Sequence, residues 1–293
     1  MRTVFRGIVD YAGLFPPASL GMAESILHFE QYRRSPDRAM LGRFVVAASR
    51  LAEFGEEFLR LGLVADPADP WRLAAVTGAI LPTEMQRVHA FKAVWDARGV
   101  IVDAIEHRVA NVGQITVIDE DVPATFVRFL EVPSEGPYGP LVKAIGAIGA
   151  FAKIRTGGTS PELFPAPEAL TQFLIACTVH HVPFKATAGL HHPFRGSFPL
   201  TYEPRSDRFV MYGFVNVLLA TAELMRGGEG ETAQQILEEE EPSAFASSTD
   251  AIAWRDTRYS TEELFQVRRE LFLGFGSCSF REPVDELRAL AVA

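Results

Sequence analysis

The strongest constraint on this chain is an alternation of short apolar runs with longer stretches that carry apolar residues at helical spacing. Eight runs fall at residues 6–11, 43–48, 73–77, 99–105, 125–132, 150–154, 183–187 and 275–279. Between them, Ala23, Ile26, Leu27, Phe29 and Tyr32 mark one amphipathic helix, and Met85, Val88, Phe91, Val94 and Trp95 mark another. A third, through Leu170, Phe173, Leu174 and Cys177, follows the helix-start signal at Pro165 and Pro167. Strands that alternate with helices pair in parallel, and eight such units close into an α/β fold of the (β/α)8 TIM barrel type. An open doubly wound sheet is the alternative, but no Gly-x-Gly-x-x-Gly follows the first run. The chain reads as a single barrel domain over residues 1–293, with irregular excursions near 195–208 and 227–250.

Composition narrows the partners. Hydrophobic residues make up 48% of the 293 positions, which is ample for a core. The formal charge of −9 argues against a nucleic-acid footprint. The acidic run Glu238-Glu239-Glu240-Glu241 contributes much of that excess and reads as a solvated helix end. Cys177 and Cys278 are the two cysteines, far apart in sequence, so neither a disulfide framework nor a cysteine metal site is expected. No apolar run reaches about 18 residues, so no spanning helix and no membrane partner are expected. Met1 to Phe5 lacks the apolar core of a signal peptide, and a cytoplasmic location is the expectation. Association into a homo-oligomer through outer helices stays open.

In a barrel, reacting groups project from the carboxyl ends of the strands. Those positions hold Asp10 and Tyr11, Asp103 with Glu106 and His107, Glu131, Lys153 with Arg155, Lys185 with His191 and His192, and Ser277 with Ser279. Lys153 and Lys185 stand out, since each closes an apolar triplet and each leads into a Lys-x-x-x-Gly frame, ending at Gly157 and Gly189. The bland reading is a strand-end lysine reaching solvent. The chemical reading is a desolvated amine whose pKa a neighbouring ammonium lowers further, exposing a nucleophile for a carbonyl carbon. To be neutral near pH 7 such an amine must come down by roughly 3 units from about 10.4.

The segments Lys153-Ile-Arg-Thr-Gly and Lys185-Ala-Thr-Ala-Gly resemble the two lysine segments of the deoxyribose-phosphate aldolases, class I aldolases built on a (β/α)8 barrel. Phe275-Gly-Ser-Cys-Ser-Phe280 is similar to that family's phosphate-binding turn, and the three segments occur in the family's order. The resemblance implies an aldolase-like lyase that acts on a small carbonyl substrate without an organic cofactor. It also implies Lys153 as the Schiff-base residue and Lys185 as the lysine that tunes it. Arg155 stands where the family has a small hydroxyl residue, and Leu190-His191 departs from it after Gly189. A phosphorylated sugar is therefore a weaker expectation than a small carbonyl or anionic substrate.

Asp103 or Glu106 is the acid/base candidate, with a surface charge cluster as the bland reading of Glu106-His107-Arg108. Arg155 shares the face of Lys153 and either clamps an anion or pairs with Glu131. Gly276, Ser277 and Ser279 offer backbone N–H groups ahead of a helix, which suits an anion, although a plain strand–helix turn has the same sequence. Asp10 and Tyr11 open a turn rich in aromatic residues and proline that either lids the barrel mouth or packs as a corner. No tightly spaced three-ligand metal motif is present, and no metal is assigned. A metal-dependent hydrolase or isomerase using His191, His192, Glu106 and His107 is the second reading. A barrel that binds a small anion without chemistry is the third.

Overall fold

The computed structural model describes residues 3–292. Seven strands come first: β1 (Val9–Tyr11), β2 (Leu41–Ala47), β3 (Trp71–Val76), β4 (Val100–Arg108), β5 (Val127–Glu131), β6 (Phe151–Arg155) and β7 (Phe184–Thr187). A hairpin of β8 (Gly196–Pro199) and β9 (Arg208–Met211) follows, then a small sheet of β10 (Phe245–Ser247), β11 (Ala251–Trp254) and β12 (Thr257–Ser260). Strand β13 (Phe272–Ser277) returns to the main sheet, lies between β7 and β1, and closes an eight-stranded parallel barrel. The helices are α1 (Met22–Arg34), α2 (Leu51–Arg60), α3 (Leu81–Trp95), α4 (Val112–Asp121), α5 (Tyr138–Ala147), α6 (Pro167–Val179), α7 (Phe214–Met225), α8 (Gly230–Glu238), α9 (Thr261–Glu270) and α10 (Arg281–Val292).

This is the (β/α)8 barrel that the alternation predicts, and each of the eight runs overlaps a barrel strand. The edges differ. The first strand begins at Val9, because residues 3–7 form turns. The eighth begins at Phe272, three residues before the expected start, because Phe272 already pairs with Phe184 and both Phe272 and Leu273 pack. Both excursions contain strands that lacked a long apolar run. They are tied together by the buried amide of Asn216 on α7. Its Nδ2 donates to the carbonyls of Ile236 (2.8 Å) and Glu239 (2.9 Å), and its Oδ1 accepts from the Arg195 amide (3.0 Å). The acidic run is not uniformly solvated either. Glu239 is buried and accepts from Trp254 and Arg255.

Two apolar layers form because side chains alternate across each strand. The outward set joins the helices in one large core, while Val45, Ala74, Ala104 and Phe129 fill the barrel interior with Phe151 and Leu273. On the amino-terminal side of that plug lies a charged cluster. Arg43 and Arg72 each stand two residues before a plug residue, and both bind Asp103. Arg43 Nε lies 2.7 Å from Asp103 Oδ1, and Arg72 Nε lies 2.7 Å from Asp103 Oδ2. Asp103 is therefore a structural anion at the closed end of the barrel, three residues short of the carboxyl-end face, and the acid/base role expected of it falls away.

Replacing Asp103 with alanine would strip the mostly buried Arg43 of the carboxylate that binds its guanidinium, leaving only the nearby charges of Asp10 and Glu106. The expected loss is about 2–4 kcal/mol of unfolding free energy in urea titration, discounted for the exposed Arg72. A change within about 0.5 kcal/mol would show that water already solvates both guanidinium groups.

Candidate active site

A cavity of about 1020 Å³ opens at the carboxyl ends of the barrel strands. Strand ends supply its most buried charged lining groups, Glu106, Glu131, Lys153 and Lys185. The loop after β1 contributes Phe15, Pro16 and Pro17, and the β8–β9 hairpin contributes Leu200 and Tyr202. Its size and its mixture of apolar walls with convergent charges suit a small ligand.

The register explains why the charges meet. Lys153 and Lys185 are direct cross-strand partners on β6 and β7, and Glu131 on β5 is the next partner of Lys153. Lys153 Nζ donates to Glu106 Oε2 at 2.8 Å and to Glu131 Oε2 at 2.7 Å. Lys185 Nζ donates to Glu106 Oε1 and to Asp10 Oδ2, both at 2.5 Å, and lies 5.3 Å from the centre of the Phe129 ring. The result is an unbroken alternation, Asp10–Lys185–Glu106–Lys153–Glu131, that spans five strands. At its outer end Glu131 also accepts from Arg108 Nε at 2.9 Å and pairs with Arg155 Nε at 3.6 Å. The pairing of Arg155 with Glu131 matches one of its two expected roles, and Arg155 lines the cavity as well.

These contacts set the protonation states. Burial alone would push the Lys153 ammonium down, but Glu106 and Glu131 outweigh burial and hold it above its ordinary value. Burial would likewise raise Glu106, and the two lysines outweigh it, bringing its pKa down to about 2. Glu131 is lowered in the same way, chiefly by Lys153 against its own burial. The sequence leads one to expect a second ammonium that depresses Lys153. The second ammonium is there, on the adjacent strand, but Glu106 stands between the amines and reverses the sign.

The other expected site residues divide. Gly189, His191, His192 and Gly276 line the cavity, whereas Asp10 acts from behind through Lys185. Gly157 does not line it. A Cβ on Gly189 would sit 2.7 Å from the Gly157 Cα, so this pair lets the β6 and β7 loops touch through their backbones. Tyr11 points away from the barrel, packs on Phe29, Tyr32 and Phe44, and places its hydroxyl 3.3 Å from His28 Nδ1. The Gly276–Ser279 turn is not a free anion cradle. Ser277 Oγ accepts from the Ser279 amide, Ser279 Oγ accepts from the Glu282 amide, and neither serine lines the cavity.

The residues of the metal-ligand reading have other partners in the structure. His191 binds Glu282 at 2.8 Å, His192 binds Glu286 and stacks on Phe198, His107 binds Thr77 at 2.8 Å, and Glu106 is taken by lysines. Among the described residues no three such side chains converge on a metal position. Sequence reasoning placed Glu131 at a strand end but gave it no role beyond pairing with Arg155, and it missed Tyr202, Cys278 and Glu282 as site residues. Glu131 alone had a usable signal, since it closes an apolar run as the two lysines do.

The network makes stability depend on pH in a defined direction. Glu106 is depressed in the folded protein, so its contribution is complete above about pH 4.5 and is lost as pH falls toward 2. Its size is on the order of 3 kcal/mol at about 1.36 kcal/mol per unit. Lys153 is raised, so its contribution is present below its unfolded value near 10.5 and is lost as pH rises through the higher folded value. Glu106→Gln should therefore be less stable than the native protein at pH 7, and the gap should close between pH 4.5 and 2. Denaturant titrations across that range read the gap, and a constant difference would contradict the assignment. Set beside models of known protein families, curated proteins and solved structures, this chain matches none of them.

Proposed function

We propose that the protein is a lyase of the class I aldolase type, acting on a small carbonyl compound through an imine on Lys153. One observation carries the reading: two lysines in register on adjacent barrel strands share Glu106 inside a carboxyl-end cavity. A buried amine between carboxylates has a proton acceptor within hydrogen-bond reach, which is the geometry a lysine nucleophile needs.

The chemistry balances on these groups alone. Lys153 passes a proton to Glu131, and the neutral amine adds to the carbonyl carbon, with the π pair moving to oxygen. The oxyanion takes one proton from the adduct nitrogen, giving the carbinolamine, whose hydroxyl takes the other proton back from Glu131 and leaves as water, giving an iminium ion. That cation withdraws the electron pair of the adjacent C–C bond as Glu106 takes the proton from the departing hydroxyl group, which leaves as an aldehyde. Glu106 returns the proton to the enamine carbon, and water releases the second product. Lys185 holds Glu106 in place with Asp10 and stabilises negative charge on oxygen. Arg155 holds an anionic substituent at the cavity wall.

The raised Lys153 pKa favours a second reading, in which the ammonium pair binds a small anionic carbonyl compound without forming a bond to it. Borohydride trapping separates the two. With a panel of small aldehydes and 2-oxo acids, the imine reading expects a reduced adduct on Lys153, mapped by peptide mass spectrometry and lost in Lys153→Met. Because the amine is held protonated, trapping should quicken steeply from pH 7 to pH 9, approaching about tenfold per unit. An adduct on Lys185 would exchange the two roles. Binding by calorimetry with no adduct on either lysine would replace the lyase with the non-covalent reading.

A further inference from the structure

A second reactive group lines the same cavity and takes no part in the lysine chemistry. Cys278, 6% exposed, follows β13 and stands three residues before the first residue of α10. Its Sγ lies 3.9 Å from His191 Nε2 and 3.5 Å from the Tyr202 hydroxyl. The opposite ring nitrogen, His191 Nδ1, lies 2.8 Å from Glu282 Oε2, and Glu282 also accepts from Tyr202 at 3.1 Å. Thiol, imidazole and carboxylate thus stand in line. The carboxylate fixes the ring so that Nε2 faces sulfur, which is the arrangement that activates a nucleophilic side chain.

We propose that Cys278, His191 and Glu282 form a thiolate–imidazolium centre that captures small aldehydes reversibly as a thiohemiacetal. The sulfur adds to the carbonyl carbon, an S–C bond forms, and the π pair moves to oxygen. That oxygen takes the Nε2 proton of His191, which Glu282 leaves as a neutral, oriented imidazole. No oxidant or leaving group is needed, and the reverse step restores both partners. The centre requires only that a carbonyl compound enters the cavity, so it stands whether or not Lys153 forms an imine.

The surroundings favour the charged pair from each side. Burial opposes the imidazolium, but the contacts with Cys278 and Glu282 outweigh it and raise His191 to about 10. Burial opposes the thiolate too, and His191, Tyr202 and the Ala18 backbone amide outweigh it and lower Cys278. The start of α10 adds its positive end. The titratable groups that face this sulfur are His191 after β7, Tyr202 in the hairpin, Glu282 on α10 and, through charge alone, Tyr11 on β1. Cys177 is the built-in comparison, since it is fully buried and burial pushes its thiol well up.

Alkylation of the native protein by iodoacetamide, followed site by site with mass spectrometry, tests the centre. Cys278 should react at a nearly constant rate from pH 6 to 9, whereas an ordinary thiol gains about tenfold per unit below about 8.5. His191→Gln should restore the steep profile. Saturating acetaldehyde should slow alkylation of Cys278 at least about tenfold, reversibly on dilution, and should do so equally in Lys153→Met. A steep profile in the native protein, silence at Cys278, or no protection by acetaldehyde would overturn the proposal. Protection that disappears in Lys153→Met would also overturn it, and would leave the imine reading standing.

Discussion

Glu106 gives one carboxylate oxygen to each of two lysines, and the carboxyl-end face of the barrel is arranged around that shared acceptor. Two ammonium groups at neighbouring positions of adjacent strands would repel strongly in a buried setting. Glu106 reaches them from β4, across the barrel, because its side chain points inward two residues after Ala104 of the interior plug. Asp10 then neutralises the far side of Lys185, and space for it has been cleared. A Cβ on Gly42 would lie 2.1 Å from Asp10 Oδ1, while the adjoining Arg43 amide donates to the same oxygen at 2.6 Å. The charge network and the closure of the barrel through β1 therefore depend on each other.

That arrangement holds Lys153 charged at rest, and the proposed lyase must discharge it. The groups on Glu131 supply a route. Arg108 and Arg155 both help to lower the Glu131 carboxyl, after Lys153 itself. On the proposed reading, an anionic substituent bound by Arg155 would share that guanidinium with Glu131. The carboxylate would become more basic just where the Lys153 proton has to go. Substrate binding would then prepare its own nucleophile, and a neutral compound of the same size would lack that help.

Fold and site were legible to different depths in the sequence, for physical reasons. Strand and helix periods are local, so eight runs and their helices could be placed without knowing any long-range contact. The lysine pair was legible because both residues end apolar runs, which fixes their layer in the barrel. Roles within one strand were not. Asp103 and Glu106 sit on the same strand, and a pairing irregularity between Leu73 and Ala74 on β3 falls opposite that stretch of β4. Only the partners decide that Asp103 meets arginines at the closed end while Glu106 meets lysines at the open one. Of the two readings of Asp10 and Tyr11, the packed corner is the one Tyr11 takes, because adjacent strand residues face opposite ways and the two could not both point inward. Glu131 carried the same local mark as the lysines, but the sign of the Lys153 shift depends on contacts between strands.

Cys278 shows the same limit from the other direction. In the sequence it lies between two serines in a turn that suits an anion, and nothing nearby marks it as reactive. Its partners come from residues 76 and 87 positions earlier and from the helix that follows. The turn's hydroxyls are spent internally, which leaves the sulfur as the group that faces the cavity. The two nucleophiles are therefore governed by opposite charge environments. Carboxylates surround the amine and hold its proton in place, whereas the His191 ring and the Ala18 backbone amide flank the sulfur and lower its pKa. On the two proposals, a carbonyl compound entering this cavity meets a thiol whose pKa is lowered and an amine whose pKa is raised. If both proposals hold, the thiohemiacetal is favoured near neutral pH and the imine gains on it as the pH rises.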